Sequence, residues 1–428
     1  MKFLGAIVSV LLSILILNCS DDSTIENEPE DISELVFSLN VDSNTADTDN
    51  WIIVQNDCGE LIDFKAYENG DALEIEAEST LVTDNMAITI SSYNGEAVDA
   101  IYVFGTYPEI EKGSVWNLNS VLEPINNSAL RGEEDGSYDV TITNIPIVLG
   151  SQLAISNDFG GDGGGGGSGV GTTTYTSIRR YTGADENMIS SIGPDGVSRY
   201  VTFEKQEAGS ILNLDYNQFN EFDSYVNVNV PSQYPYFSAV FGFEGGEGDV
   251  PYNLGGGFYL NLTYPFDNSY PPGLGYLNRF QRYYTTVSFS AEDFYYSFKK
   301  FGEKPTAINT PENPSITISN SSMATFILTT SFDFKRRINS GAVSEGTRNE
   351  DLVETIWTIN SPNANQPVVG TIPQELLDLY PEIKINDSTY SSSLFFLNNE
   401  TYSEVIGRRF LSAGSKSPFI SEELISFF

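Results

Sequence analysis

Apolar and polar residues alternate along most of this chain. The pattern runs through WIIVQ (Trp51–Gln55), LIDFKAY (Leu61–Tyr67), ALEIEAE (Ala72–Glu78), YDVTITNI (Tyr138–Ile145), YVNVNV (Tyr225–Val230), FYLNLTY (Phe258–Tyr264) and SITISN (Ser315–Asn320). A period of two, carried by β-branched and aromatic residues, predicts strands, because successive side chains of a strand point to opposite faces. Clusters such as ENGD (Glu68–Asp71) and GPDG (Gly193–Gly196) separate the runs and supply turns. NDCGE (Asn56–Glu60) sits between two alternating runs and reads as a hairpin connection. The fold class expected is mostly β: two or more antiparallel β-sandwich-like domains with a few short helices.

Three segments read as helices. In SAEDFYYSFKKFG, Ser290 is a candidate N-cap, Phe294, Phe298 and Phe301 share one helical face, and Gly302 is a stop signal. PQELLDLY places Pro373 at a first turn, and SEELISFF offers Ser421 as a cap. One organisational boundary stands out. GGDGGGGGSGVG, Gly160 to Gly171, holds nothing able to pack a core and reads as a flexible linker. It divides an N-terminal β domain at 35–159 from an aromatic-rich C-terminal β region at 172–428, with room there for two subdomains.

The first 34 residues follow another rule. Lys2 precedes a 15-residue apolar run, Phe3 to Leu17, too short for a comfortable membrane span of roughly 20 residues and built like a secretory signal. Cys19 ends it, in ILNC (Ile16–Cys19). From Ser20 to Glu34 there are seven acidic residues, no base and no aromatic, a composition that cannot bury enough surface to fold. ILNC resembles a bacterial lipobox, with Asn18 in place of the usual small residue, and the following SDD resembles the acidic tag of surface-exposed lipoproteins of Bacteroidota, particularly the flavobacterial type. That resemblance implies a signal peptide at 1–18, a diacylated Cys19, an acidic tether at 19–34, and a lipid-anchored protein of the outer membrane facing outward. Each buried acyl methylene contributes about 0.8 kcal/mol, so two or three chains hold firmly.

Composition narrows the chemistry. The chain has 21 basic and 59 acidic residues, a formal charge of −38, which repels phosphate backbones and excludes nucleic acid as an expected partner. It contains no histidine, so the Ser-His-Asp triad, the Cys-His pair and the HExxH zinc site are all ruled out. Carboxylate chemistry, tyrosine or lysine bases and oxygen-ligated calcium survive. FEGGEGD brings Glu244, Glu247 and Asp249 close in sequence; solvated turn acids are the default reading in so acidic a chain, and a glycosidase acid–nucleophile pair or a calcium ligand set is the alternative. DSNTADTDN (Asp42–Asn50) lacks the central Gly and terminal Glu of a calcium loop, so no metal and no other cofactor is expected. The basic pairs Arg179–Arg180, Lys299–Lys300, Arg336–Arg337 and Arg408–Arg409 lie far apart in sequence and read as local balances for nearby acids.

From Phe222 to Phe301 the chain concentrates 23 Phe and Tyr residues, most of them expected in the core. The loop YPFDNSYPPGLGY is the exception, because Pro and Gly stiffen it while its rings cannot all point inward. Tyr264, Phe266, Tyr270 and Tyr276, with Asp267 and Asn268, are therefore the candidate ligand-binding residues, rings stacking on a sugar and short polar groups bonding its hydroxyls. The function expected is a non-catalytic surface binding or interaction module for an extracellular glycan or protein. A carboxylate-dependent glycan-active enzyme is the alternative, and an outer-membrane β-barrel is a weaker one.

Overall fold

The computed structural model describes residues 33–43, 48–95, 99–118, 132–145, 153–161, 173–192, 197–231, 234–244, 258–263, 273–321, 323, 327–348, 350–362, 369–385, 389–397, 400–411 and 421–427. Cys19 and the acidic tether lie outside them. Among the described residues no helix is long and apolar enough to cross a membrane.

The protein is mostly β, with several sheets and a few short helices. Its largest sheet has twelve strands, numbered here in chain order: β1 (Thr48–Asn56), β2 (Leu61–Tyr67), β3 (Asn85–Gly95), β4 (Ala100–Glu111), β5 (Tyr236–Phe243), β6 (Phe258–Thr263), β7 (Arg282–Ser290), β8 (Phe294–Gly302), β9 (Arg336–Glu345), β10 (Val353–Pro362), β11 (Thr389–Phe396) and β12 (Ser421–Phe427). The spatial order is β6-β5-β7-β8-β12-β11-β9-β10-β4-β3-β1-β2. Every neighbouring pair is antiparallel except β10 and β4, which run parallel from Val353↔Ala100 to Ile359↔Thr106.

That parallel ladder corrects the expected division. It joins strands from both sides of the Gly-rich segment, and a second ladder does the same, pairing Glu134–Thr143 with Thr173–Tyr181. Residues 162–172 lie outside the description, but strands before and after them, Glu134–Thr143 and Thr173–Tyr181, are hydrogen-bonded to one another, so the Gly-rich stretch does not separate two independent sets of sheets. The strands at 134–143 and 173–181 pack with the sheet around Glu186–Ile192 over a separate small core of Tyr138, Val140, Ile155, Ile178 and Ile189, a sandwich within the larger architecture. It docks on the β6 edge, where the Tyr259 amide donates to Ser156 Oγ at 2.9 Å and Ser190 Oγ donates to the Tyr259 carbonyl at 3.3 Å. Covering an edge strand in this way removes a row of open backbone groups.

Two of the three helix expectations are overturned. SAEDFYYSFKKFG forms the turn between β7 and β8 and then β8 itself, with Ser290 paired to Tyr295. The spacing of Phe294 and Phe298 suits a helix, but Phe294, Tyr296 and Phe298 also alternate. Ser297 and Phe301 are buried on the opposite face as well, and only a central strand buries both. SEELISFF is β12, flanked by β8 and β11, with Glu423, Ile425 and Phe427 on one face and Leu424 and Ser426 on the other, all buried. PQELLDLY does form a helix, α1 (Gln374–Leu379), with Pro373 at its N-cap. The sequence reading missed α2 (Tyr402–Ile406), although Thr401 and Glu404 form a reciprocal capping box readable as T-x-x-E. A π-helical turn, Gly407–Leu411, continues α2.

The NDCGE hairpin is present between β1 and β2. Asn56 Oδ1 accepts from the amides of Cys58 at 3.0 Å and Glu60 at 2.9 Å, an Asx turn that leaves Cys58 exposed.

The sheet has a core on each face. On the first face, Ile53, Phe104, Trp357 and Ile359 are covered by α1 and its flanks through Ile372, Leu376 and Ile383. On the second, Ile52, Val54 and Ile88 meet Phe37, Leu39 and Trp116 from the small sheet of Ser33–Val41, Ala72–Glu78 and Ser114–Leu118, with α2 closing the end. The first face continues under β5, β7, β8, β11 and β12 as an aromatic core that includes Phe289, Tyr296 and Phe395.

Candidate functional site

A row of partly exposed rings crosses one end of the first sheet face: Phe64 on β2, Trp51 on β1, Tyr93 on β3, and Tyr380 at the C-terminus of α1, with buried Tyr102 on β4 among them. Alternation places them together. In WIIVQ, Trp51 and Ile53 face one way while Ile52 and Val54 face the other core. Register then aligns the strands, with Tyr93 opposite Tyr102. Ring centroids lie 5.7 Å apart for Trp51 and Phe64, 4.9 Å for Tyr93 and Tyr102, and 5.8 Å for Tyr102 and Tyr380.

The segment that brings Tyr380 and Glu382 to the row is held deep in the sheet. Gln55 Nε2 donates to the Thr371 carbonyl at 2.7 Å. Gly370 passes so close that an added Cβ would lie 2.1 Å from the Gly59 carbonyl oxygen, so no side chain fits there. Below the row, Trp357 Nε1 donates to Thr106 Oγ1 at 2.9 Å, and Thr106 shares a 2.8 Å hydrogen bond with Thr89, which satisfies the buried hydroxyls and stiffens the support.

At the end of the row Tyr102 donates its phenol proton to Glu382 Oε1, a hydrogen bond to a partly exposed carboxylate. Burial first, then this bond and the carboxylate's charge, hold the Tyr102 phenol above its ordinary range, so it stays a donor. The Trp51 indole N–H is buried and has no hydrogen-bond partner among the described residues. Flat half-open rings beside a fixed carboxylate can stack on the C–H face of a sugar while accepting from its hydroxyls.

The residues expected from the sequence fare differently. Tyr264, Phe266, Asp267, Asn268 and Tyr270 lie outside the described residues. Tyr276 contradicts the expectation of a solvent-facing ring: it is 0% exposed on the strand Gly273–Tyr276, its hydroxyl shares a 2.8 Å hydrogen bond with Thr285, and Tyr283 packs edge-on against it at 4.9 Å. Strand pairing with Ser224–Asn229 turns it inward, Tyr276 lying opposite Ser224, 52 residues earlier, a contact that loop composition does not reveal. Of the acidic trio, Glu247 and Asp249 lie outside the described residues, and Glu244 accepts from Arg279 Nε at 2.8 Å. The same Arg279 holds Glu186 through two nitrogens, at 3.1 and 2.7 Å, and rests on Phe258 and Phe280, so Glu244 belongs to a structural clamp. Of the DSNTADTDN stretch, Asp42 caps its own turn by accepting from the Ser43 amide at 2.7 Å. Among the described residues no cluster of three or more acidic or cysteine side chains could hold a metal.

The ring row was missed by sequence reasoning although one signal was visible. Trp51 is one of three tryptophans in the chain and stands at the outer end of an alternating run. Its partners Tyr380 and Glu382 lie more than 300 residues away, beyond the reach of any local pattern. No protein-family model, no curated protein and no solved structure matches this chain.

Proposed function

We propose that the protein is a non-catalytic binding module of the cell envelope, anchored in the outer membrane by lipid on Cys19, facing outward, with a saccharide as its ligand. The observation that supports the binding reading is the row Phe64, Trp51, Tyr93 and Tyr380 ending at Glu382, rings left partly open at one end of a rigid sheet. Sheet-borne rings are already ordered, so binding costs little conformational entropy. A stacked ring contributes about 1 kcal/mol, so Trp51→Ala should weaken retention on soluble polysaccharide gels about fivefold, with Tyr93→Ala close behind. Unchanged retention in both variants would remove the row from consideration. Tyr270→Ala, in the same assay, tests the loop as a separate contact. Release of reducing ends by the parent, lost in Glu382→Gln, would replace the binding reading with the enzymatic one.

The membrane half of the reading has its own test. Cys19→Ala should move the protein from the detergent phase to the aqueous phase in Triton X-114 partitioning, because acyl chains are what hold it. Continued detergent partitioning of the variant would rule out the lipid anchor. Protease treatment of intact cells reads the orientation, and full protection would contradict outward display.

A further inference from the structure

Members of three of the four basic pairs that look scattered in sequence converge on the second face of the sheet, opposite the ring row. Arg336 opens β9 and pairs across to Phe396 on β11, while its neighbour Arg337 points to the other face, where its Nε donates to Ser361 Oγ at 3.1 Å. Lys299 on β8 lies opposite Glu422 on β12. Arg408 and Arg409 arrive from the π turn after α2, which Phe410 seats against Tyr107 at 5.0 Å and Trp116 at 3.8 Å. Arg336 feels the charges of Glu422, Glu400, Arg408 and Arg409 together, so the groups share one neighbourhood.

Both acids of this patch are already engaged. Glu400 takes Arg408 in a forked bond, with Nε at 2.8 Å from one oxygen and Nη2 at 2.7 Å from the other, and Glu422 takes Lys299 at 3.3 Å. Arg336 and Arg409 remain. Among the described residues neither has an ion-pair partner. The Arg336 guanidinium lies 3.3 Å from the centre of the Phe396 ring, with its Nε buried and unbonded. The Arg409 guanidinium sits 5.4 Å from the Tyr107 ring, at the exposed rim. Burial pulls the Arg336 guanidinium down to about 10, which leaves it charged at neutral pH. In a chain carrying −38 overall, two arginines held on aromatic rings, whose neighbouring carboxylates Glu400 and Glu422 are committed to Arg408 and Lys299, are an unusual use of charge. Ring stacking fixes the plane of a guanidinium and leaves its edge donors free, which suits a planar or tetrahedral oxyanion.

We propose that Arg336 and Arg409 form an oxyanion-binding site, taking a carboxylate or sulfate group of a ligand on the sheet face opposite the ring row. The site stands apart from the saccharide reading, since it rests on other residues and another face. Two donors from one ring-backed arginine and the long reach of the other give it a fork that closes from the rim.

The test is calorimetric titration of the full chain with sodium sulfate and, separately, with sodium glucuronate, in sodium chloride of matched ionic strength. The parent should bind both, and any heat from glucose, the control for the ring row, should be the same in the parent and in the arginine variants. Arg336→Met and Arg409→Met should each weaken sulfate about tenfold or more, because a charge-assisted bond is lost. Arg336→Lys should fall between them and the parent, since charge survives and the fork does not. Arg348→Met, at an exposed arginine elsewhere, should bind as the parent does. Sulfate that binds while glucuronate does not assigns the site to sulfate esters, and the reverse assigns it to carboxylates. No heat with either anion, parent-like binding in Arg409→Met, or an equal loss in Arg348→Met would overturn the proposal. Arg409 is exposed, so its variant keeps the test decisive if Arg336→Met does not fold.

Discussion

Tyr276→Ala is expected to unfold the protein at a much lower denaturant concentration than the parent, with a loss of about 3–5 kcal/mol, the range for truncating a buried aromatic ring. The ring is 0% exposed and belongs to the core that also holds Val226, Leu274, Phe280 and Tyr283. Truncation leaves a cavity that β7 and the Gly273–Tyr276 strand cannot close, and leaves the Thr285 hydroxyl without its 2.8 Å partner in a buried setting. Burial, more than any other cause, holds the Tyr276 phenol well above its ordinary range, so it acts as a neutral hydrogen-bonding group throughout the stable pH range. Tyr276→Phe should therefore cost much less, about 1 kcal/mol, because only the hydroxyl is removed. Urea unfolding followed by tyrosine and tryptophan fluorescence gives both values. Comparable midpoints for Tyr276→Ala and the parent would mean the ring is not a core residue.

Trp116→Ala should destabilise by a similar amount, about 3–5 kcal/mol, and should also act at a distance. Trp116 is 0% exposed, lies flat on Phe410 at 3.8 Å, and meets Phe37 and Tyr107 edge-on at 5.4 and 5.5 Å. These four rings seat the π turn against the small sheet and the end of β4. The rest of the anchorage is modest: the Tyr402 hydroxyl donates to the Pro108 carbonyl at 2.6 Å, and the Asn117 amide donates to the Phe410 carbonyl at 3.3 Å. Glu109, with φ at 56°, spends local strain on the irregularity in β4 that turns both Tyr107 and Ile110 toward this core. Removing the indole should loosen the turn that carries Arg409 and so weaken sulfate binding. Titration below the variant's melting temperature, alongside circular dichroism, reads the two effects separately. Full sulfate affinity in a destabilised Trp116→Ala protein would show that Arg409 is positioned without this stack.

The strands were legible because alternation is a local property. WIIVQ, ALEIEAE and FYLNLTY each carry their own period, and a strand needs only that and a turn at its end. NDCGE was legible as a hairpin for the same reason, since Asn56 bonds amides two and four residues onward. The helix readings show where local pattern fails. In SAEDFYYSFKKFG the apolar positions satisfy both periods, and in SEELISFF the buried Glu423 reads as a surface residue until Tyr296 is seen donating to it at 2.9 Å. A central strand buried on both faces has no polar side to mark it. The capping box at Thr401 was equally local, and was there to be read.

The sequence by itself determined that this is a β protein with turns at named places, that histidine-based chemistry is absent from it, and that its surface is strongly acidic. It could not determine which strands become neighbours. The pairing of β10 with β4 closes a loop of about 250 residues and runs across the Gly-rich stretch that looked like a boundary. Loop-closure entropy grows slowly with length, so distant pairings are open to the chain and composition does not choose among them. The order β8-β12-β11-β9 gathers Lys299, Glu422, Phe396 and Arg336 on one face, and turns basic pairs that look like scattered balances into a shared patch. The same holds for Trp51, Tyr102 and Glu382. Residue type and period are written within a few neighbouring positions, whereas a site requires several strands to adopt one register, and that is decided by packing of the whole core.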